Sequence, residues 1–230
     1  MRKSGQNSPP HRERCISQAA KVGSLEAVDL KCTRGERTLF AGLAFTLRGG
    51  ELLRIAGANG SGKTSLLRIA CGLLEPAQGV VRWAGENIRR LQEEFWRQLV
   101  YIGHANAIKE DLSAAENLQV ACTLAGLRVR EVEVREALVS LGLAGRENLP
   151  ARVLSQGQRR RAALGRLALS RSVPLWILDE PFTALDATAT DCVQELIAGH
   201  VARGGAVMYT THHEAHISVR AALRIDLGAI

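Results

Sequence analysis

The sequence predicts an α/β domain built on a parallel sheet with crossover helices and interrupted by a helical insertion. Three observations carry this. Short apolar runs alternate with helical patterns at both ends of the chain, as strand–helix–strand units require. Residues 112–171 read instead as successive helices. A glycine-rich octapeptide, GANGSGKT at 57–64, joins an apolar run to a helical one.

Taken in order, LEAVDLKCT and LAFTL read as strands that precede ELLRIAG, a buried strand ending in glycine. SLLRIACGLL then places apolar residues at helical spacing. ENLQVACTLAGL, VREALVSLGL and GQRRRAALGRLALS come next as helices. LWILDE and AVMYTT are short, continuous apolar runs, the pattern of parallel strands covered on both faces. Residues 1–23, polar and Pro-containing, read as a disordered extension without the apolar stretch of a secretion signal. One domain is expected over 24–230. Its α/β core takes 24–98 and 172–230, and the insertion takes about 99–171.

Composition narrows the function. Hydrophobic residues make up 46%, enough for a sizeable core. No run of about 18 apolar residues is present, so any membrane-spanning partner is expected to be a separate chain. The net charge is +7, yet the basic residues are scattered and only 4% of residues are aromatic, which argues against nucleic-acid binding. The densest basic run, RRR at 159–161, reads as one solvated face of a helix. Cys15, Cys32, Cys71, Cys122 and Cys192 are odd in number and form no paired motif, which fits reduced, mostly buried thiols. His212 and His216 are four apart in HHEAH, but no third ligand accompanies them at helix spacing.

GANGSGKT is a complete G-x-x-x-x-G-K-[ST] between a predicted strand and a predicted helix, the context of a phosphate-binding loop. Gly57, Gly60 and Gly62 let the backbone bend its N–H groups toward phosphates, and the next helix adds its N-terminal partial charge. Ala58, Asn59, Ser61 and Ser65 complete the candidate cradle. Lys63 suits the β- and γ-phosphates, and the Thr64 hydroxyl suits Mg²⁺. LWILDE supplies the second half: Asp179 to hold Mg²⁺, and Glu180 as a base or orienting group for water.

Between and after these elements stand LSQGQ at 154–158, ALD at 184–186 and YTTHH at 209–213. They resemble the signature motif, D-loop and switch histidine of ABC-transporter nucleotide-binding domains, in the family's order, over about residues 25–215. Gln156 stands where the commonest signature has glycine. The resemblance implies a P-loop NTPase (RecA-like) core with an inserted α-helical subdomain and a small antiparallel β subdomain. It also implies a head-to-tail homodimer with ATP and Mg²⁺ between the subunits. Leu154, Ser155, Gln156, Gly157 and Gln158 would contact the ATP of the opposing subunit. Glu180 would activate water, His212 would meet the γ-phosphate and Asp186 would tie the two sites together.

His104, twelve residues before the Glu116 of AEN, occupies the position where most such domains carry a glutamine. With ERTLFAGLAFTL, QGQRRRAALGRLAL, LWILDEPFTALD and GGAVMYTTHH, this resembles the ATP-binding subunit of the cytochrome c maturation haem exporter. That resemblance implies an ATPase at the cytoplasmic face of the inner membrane. It would drive haem export, or release of a haem-loaded chaperone, without binding haem itself. An ATPase for another exported substrate is the alternative. His104 would sit between the γ-phosphate and the membrane partner, and the adenine-stacking position falls near Arg34, whose guanidinium is also planar.

Overall fold

The computed structural model describes residues 23–212 and 216–228. Leu25–Arg34 (β1) and Arg37–Leu47 (β2) pair antiparallel, with Leu25, Ala27, Leu30 and Cys32 buried along β1. Leu52–Ala56 (β3) leads through the glycine-rich loop into Lys63–Ala70 (α1), which buries Leu66, Leu67, Ile69 and Ala70. Gln78–Trp83 (β4) pairs with the free side of β1, and Glu86–Asn87 (β5) extends that sheet. Two short helices, Ile88–Leu91 (α2) and Glu93–Arg97 (α3), lead to Leu99–Ile102 (β6).

Three helices come next: Ala114–Leu124 (α4), Glu131–Ser140 (α5) and Gln156–Leu169 (α6). Leu175–Leu178 (β7), Ala187–Ala202 (α7), Ala206–Thr210 (β8) and Ala222–Asp226 (β9) complete the described chain. The sheets are an antiparallel β2-β1-β4-β5 and a parallel β6-β7-β8-β3-β9. Residues 99–102, which the sequence assigns to the inserted Q-loop and helical subdomain, pair in parallel with β7 of the core sheet; the α-helices of that segment lie between 114 and 169. Only four residues of β6 carry the strand pattern, too few to stand out beside the helices after it.

Helix starts obey local chemistry. Ser113 and Ser155 each form a reciprocal capping box, with Glu116 and Gln158 three residues on. Gly165 lets α6 lie close against α4, where an added Cβ would come within 2.8 Å of Leu118. The parallel strands are buried on both faces: all four residues of β7 and all five of β8 are inaccessible. Register sets Leu178 beside Ile102 and Tyr209, and Ile55 beside Thr210. Four strands therefore end at one level, where loops from neighbouring strands meet.

The basic run at 159–161 departs from the solvated face expected of it. Arg160 is only 3% exposed, and Arg161 is held at 3.4 Å from both the Gly142 carbonyl and Asp186. The α6 face that carries Arg160 turns inward against the ends of the parallel strands, so its charge is paired with buried polar groups. Among the described cysteines, Cys32, Cys71 and Cys122 are buried and Cys192 is half-buried, all as free thiols. Cys15 and the extension over 1–22 lie outside the described residues.

His200, at the end of α7, is buried with its ring stacked on Trp176 at a centroid distance of 3.8 Å. Burial, then the nearby charge of Arg203, lowers its pKa to about 4. A histidine with a depressed folded-state pKa contributes full stability above its unfolded value, near 6.5, and loses it as pH falls toward 4. Chemical denaturation midpoints are expected to hold steady above neutrality and fall between pH 6.5 and 4. His200→Phe, which keeps a flat ring on Trp176, should flatten that part of the acid limb. An unchanged slope in the variant would remove His200 as its source.

Candidate functional site

The ends of β3, β7, β8 and β6 enclose a cavity of about 500 Å³. Its lining combines Asn59, Gly60, Gly62, Lys63, Thr64 and Ser65 with Asp179, Glu180, His104 and His212, and Arg34 and Leu39 also line it. Gly57, Gly60 and Gly62 have φ of 139°, 78° and 102°, a path that side chains with a Cβ adopt at a cost. The loop wraps the lysine: Lys63 Nζ donates to the carbonyls of Gly57 at 2.8 Å and Ala58 at 3.1 Å. Gly57, Ala58 and Ser61 thus form the base of the loop, and the residues on either side of Lys63 face the cavity.

Asp179 ends the buried β7 strand and is 1% exposed. Its carboxylate accepts from Thr64 Oγ1 at 2.9 Å and from Thr210 Oγ1 at 2.8 Å. The Thr210 oxygen also accepts from the Glu180 N–H at 3.0 Å. Glu180 takes a left-handed φ of 50°, and its Oε2 accepts from the His212 N–H at 3.1 Å. His212 Nε2 stands 3.4 Å from Glu180 Oε1, an ion-pair separation rather than a hydrogen bond. One carboxylate is fully bonded, and the next has a buried oxygen left over beside a histidine.

A Thr hydroxyl and an Asp oxygen 2.9 Å apart form a hard-oxygen pair of the kind that Mg²⁺ accepts. A cage of three or more His, Cys, Asp or Glu side chains is absent among the described residues. Mg²⁺ ordinarily takes one or two carboxylates and completes its shell with phosphate oxygens and water, so the donor set fits. Part of HHEAH falls at 213–215, outside the described residues.

The signature segment sits elsewhere. Among the described residues, none of 154–158 lines this cavity. Leu154 is buried, and Ser155 caps α6 by accepting from the Gln158 N–H at 3.2 Å. Gly157 packs so closely on the next loop that an added Cβ would meet the Ala184 carbonyl at 2.6 Å. Asp186 is exposed, caps α7 through the Ala189 N–H at 2.9 Å, and lies 3.4 Å from Arg161. The chain therefore carries two separate surfaces: a phosphate-type cavity, and an exposed helix start beside Ala184.

Sequence reasoning passed over three contributors. Thr210 is the polar end of an apolar strand and holds both Asp179 and Glu180. Asn117 accepts from the Lys109 N–H at 2.7 Å and donates to the Lys109, Leu112 and Ser113 carbonyls, which fixes the end of the His104 loop. Arg160 contacts both the His104 loop and the acidic turn. For Thr210 the signal was a polar residue ending an apolar run, whereas Asn117 and Arg160 stand among other polar residues. Thr210→Val, which keeps the shape, should lower stability by roughly 1–3 kcal/mol because two buried groups lose a partner. Urea unfolding with an unchanged m-value and an unchanged midpoint would contradict this.

The chain is similar to known proteins. The family model for ABC transporters matches residues 26–183. The "Cytochrome c biogenesis ATP-binding export protein CcmA" of Nitrosospira multiformis is 50% identical over 204 residues, covering 89% of this chain and 98% of the relative. The protein of the same name from Dechloromonas aromatica is 51% identical, covering 89% and 100%. A solved ATP-binding subunit of an ABC transporter is 27% identical, with a TM-score of 0.77 over 89% of this chain and 86% of that one. With a family match over most of its length and relatives about half identical over 89% of it, this chain belongs to the ABC transporter family of ATP-binding proteins, among the cytochrome c biogenesis export proteins.

Proposed function

We propose that the chain is the ATP-hydrolysing subunit of a membrane transporter complex for cytochrome c maturation, coupling ATP hydrolysis to haem export or to release of a haem-loaded chaperone. The convergence of the 57–65 loop, Asp179, Glu180, His104 and His212 on one cavity carries this reading. The loop backbone and Lys63 hold the β- and γ-phosphates, with Lys63 exchanging its two carbonyl partners for phosphate oxygens. Thr64 and Asp179 would hold Mg²⁺, which would supply neutralisation of phosphate charge there. Glu180 orients and deprotonates the attacking water through its buried oxygen, and His212 contacts the γ-phosphate from the same side.

A second copy of the chain supplies the rest. Leu154, Ser155, Gln156, Gly157 and Gln158 of each subunit close on the ATP of the other, presenting the capped start of α6 to phosphate oxygens. The exposed Asp186 lies at the seam between the two sites. The absence of 154–158 from the cavity of their own chain supports this division of labour.

Transmembrane subunits are separate chains, because no described helix is long and apolar enough to cross a membrane. A groove of about 530 Å³ beside the His104 loop supports docking of such a partner on the cytoplasmic face of the inner membrane. Its wall includes Trp96, 51% exposed, and Leu124, 84% exposed, together with Ala107 and Lys109 of the loop. His104 links cavity and groove and so senses the γ-phosphate on behalf of the partner. Arg34, which lines the cavity, offers a planar guanidinium on which the base can stack.

Lys63→Ala should abolish ATP turnover, whereas Glu180→Gln should stop turnover while retaining bound ATP and favouring a dimer in size-exclusion chromatography. Normal steady-state hydrolysis by either would remove the assigned roles. Cells carrying Lys63→Ala should lack covalently bound haem in membrane c-type cytochromes. Unchanged haem staining would redirect the engine to another exported substrate. His104→Ala should depress cytochrome maturation more than ATP affinity; the opposite pattern would refute the sensor role.

A further inference from the structure

Arg160 is a buried cation on α6, and all four of its hydrogen bonds go to other elements. Nη1 donates to the Gly103 carbonyl at 3.0 Å and to Asn106 Oδ1 at 3.2 Å. Nη2 donates to the carbonyls of Asp179 at 2.9 Å and Glu180 at 2.8 Å. The first pair brackets His104, which lies between Gly103 and Asn106. The second pair brackets the residue whose φ of 50° turns its carboxylate toward His212. A left-handed conformation at a residue with a side chain costs energy and persists only when its surroundings hold it. Here the bridging guanidinium is one of those restraints, and the Thr210 hydroxyl on the Glu180 N–H is another.

We propose that Arg160 is a positioning residue for hydrolysis: its guanidinium ties the His104 loop and the left-handed turn at Glu180 to the helix that begins at Ser155. It touches neither the cavity nor the groove, so its effect travels through the two backbone segments it holds. The fork geometry matters, because two nitrogens span two separate carbonyl groups in one plane, which a single ammonium does not do. The charge matters too: burial lowers the Arg160 pKa, and the negative charges of Asp179 and Glu180 nearby act against that. When the opposing subunit engages Ser155 and Gly157, motion of α6 then shifts the loop and the acidic turn as one body. This inference rests on the ATPase reading of the cavity.

Its test uses the full chain, with ATP turnover measured alongside the affinity for a fluorescent ATP analogue. Arg160→Leu is expected to keep that affinity within a small factor while kcat falls about tenfold to a hundredfold, the scale on which slight misplacement of reacting groups acts. Arg160→Lys should fall between the wild type and Arg160→Leu. Asn106→Ala, which removes one of the four bonds, should lower kcat by a smaller factor with unchanged affinity and thermal midpoint. Wild-type kcat in Arg160→Leu would overturn the proposal, as would losses of kcat and affinity in equal measure. Should Arg160→Leu fail to fold, wild-type kcat in both Arg160→Lys and Asn106→Ala would overturn it. A wild-type chain that neither binds nor hydrolyses ATP would instead refute the ATPase reading itself.

Discussion

A carboxylate at the end of a fully buried strand is the constraint on which the rest of this molecule depends. Asp179 cannot be desolvated without donors, and a single unpaired charge there would cost several kcal/mol. Thr64 at the start of α1 and Thr210 at the end of β8 meet its two oxygens, so the helix after the glycine-rich loop and the neighbouring strand are held to one point. The strand register makes this possible, because β3, β7 and β8 end at the same level. The cavity above them is the consequence of that agreement.

The same satisfaction rule extends outward. Thr210 also receives the Glu180 N–H, Arg160 covers the carbonyls of Asp179 and Glu180, and Asn117 closes the loop that carries His104. These hydrogen bonds join elements that are far apart in sequence. They leave one oxygen of Glu180 beside His212 without a hydrogen bond. In a protein built to bind and turn over ATP, an unpartnered carboxylate oxygen beside a histidine is where a water or a phosphate oxygen can enter.

The separation of the 154–158 segment from this cavity has a physical reason. Gly157 packs on the Ala184 carbonyl and Asp186 caps α7, so the segment is bound to the loop after β7 rather than folded over the phosphate site. A helix start that faces away from its own chain's cavity fits the proposed engagement with the cavity of a second copy.

Much of the fold was legible because it is written in local patterns. The spacing of GANGSGKT and the apolar runs before Asp179 and Thr210 each depend on neighbouring residues. The four-residue β6 and the strand at 222–226 were not, since such short runs resemble loop or helix until a partner strand pairs with them. Arg160 was misleading for the same reason: within RRR it is one more charge, and only the packing of α6 against the ends of β6 and β7 turns it inward. The sequence by itself determined the phosphate loop, the acidic strand end and the α/β class, because those depend on residues adjacent in the chain. Tertiary structure alone decided which hydroxyls reach Asp179, which guanidinium holds the Glu180 turn and where the signature helix faces, because burial creates those demands only once distant segments meet.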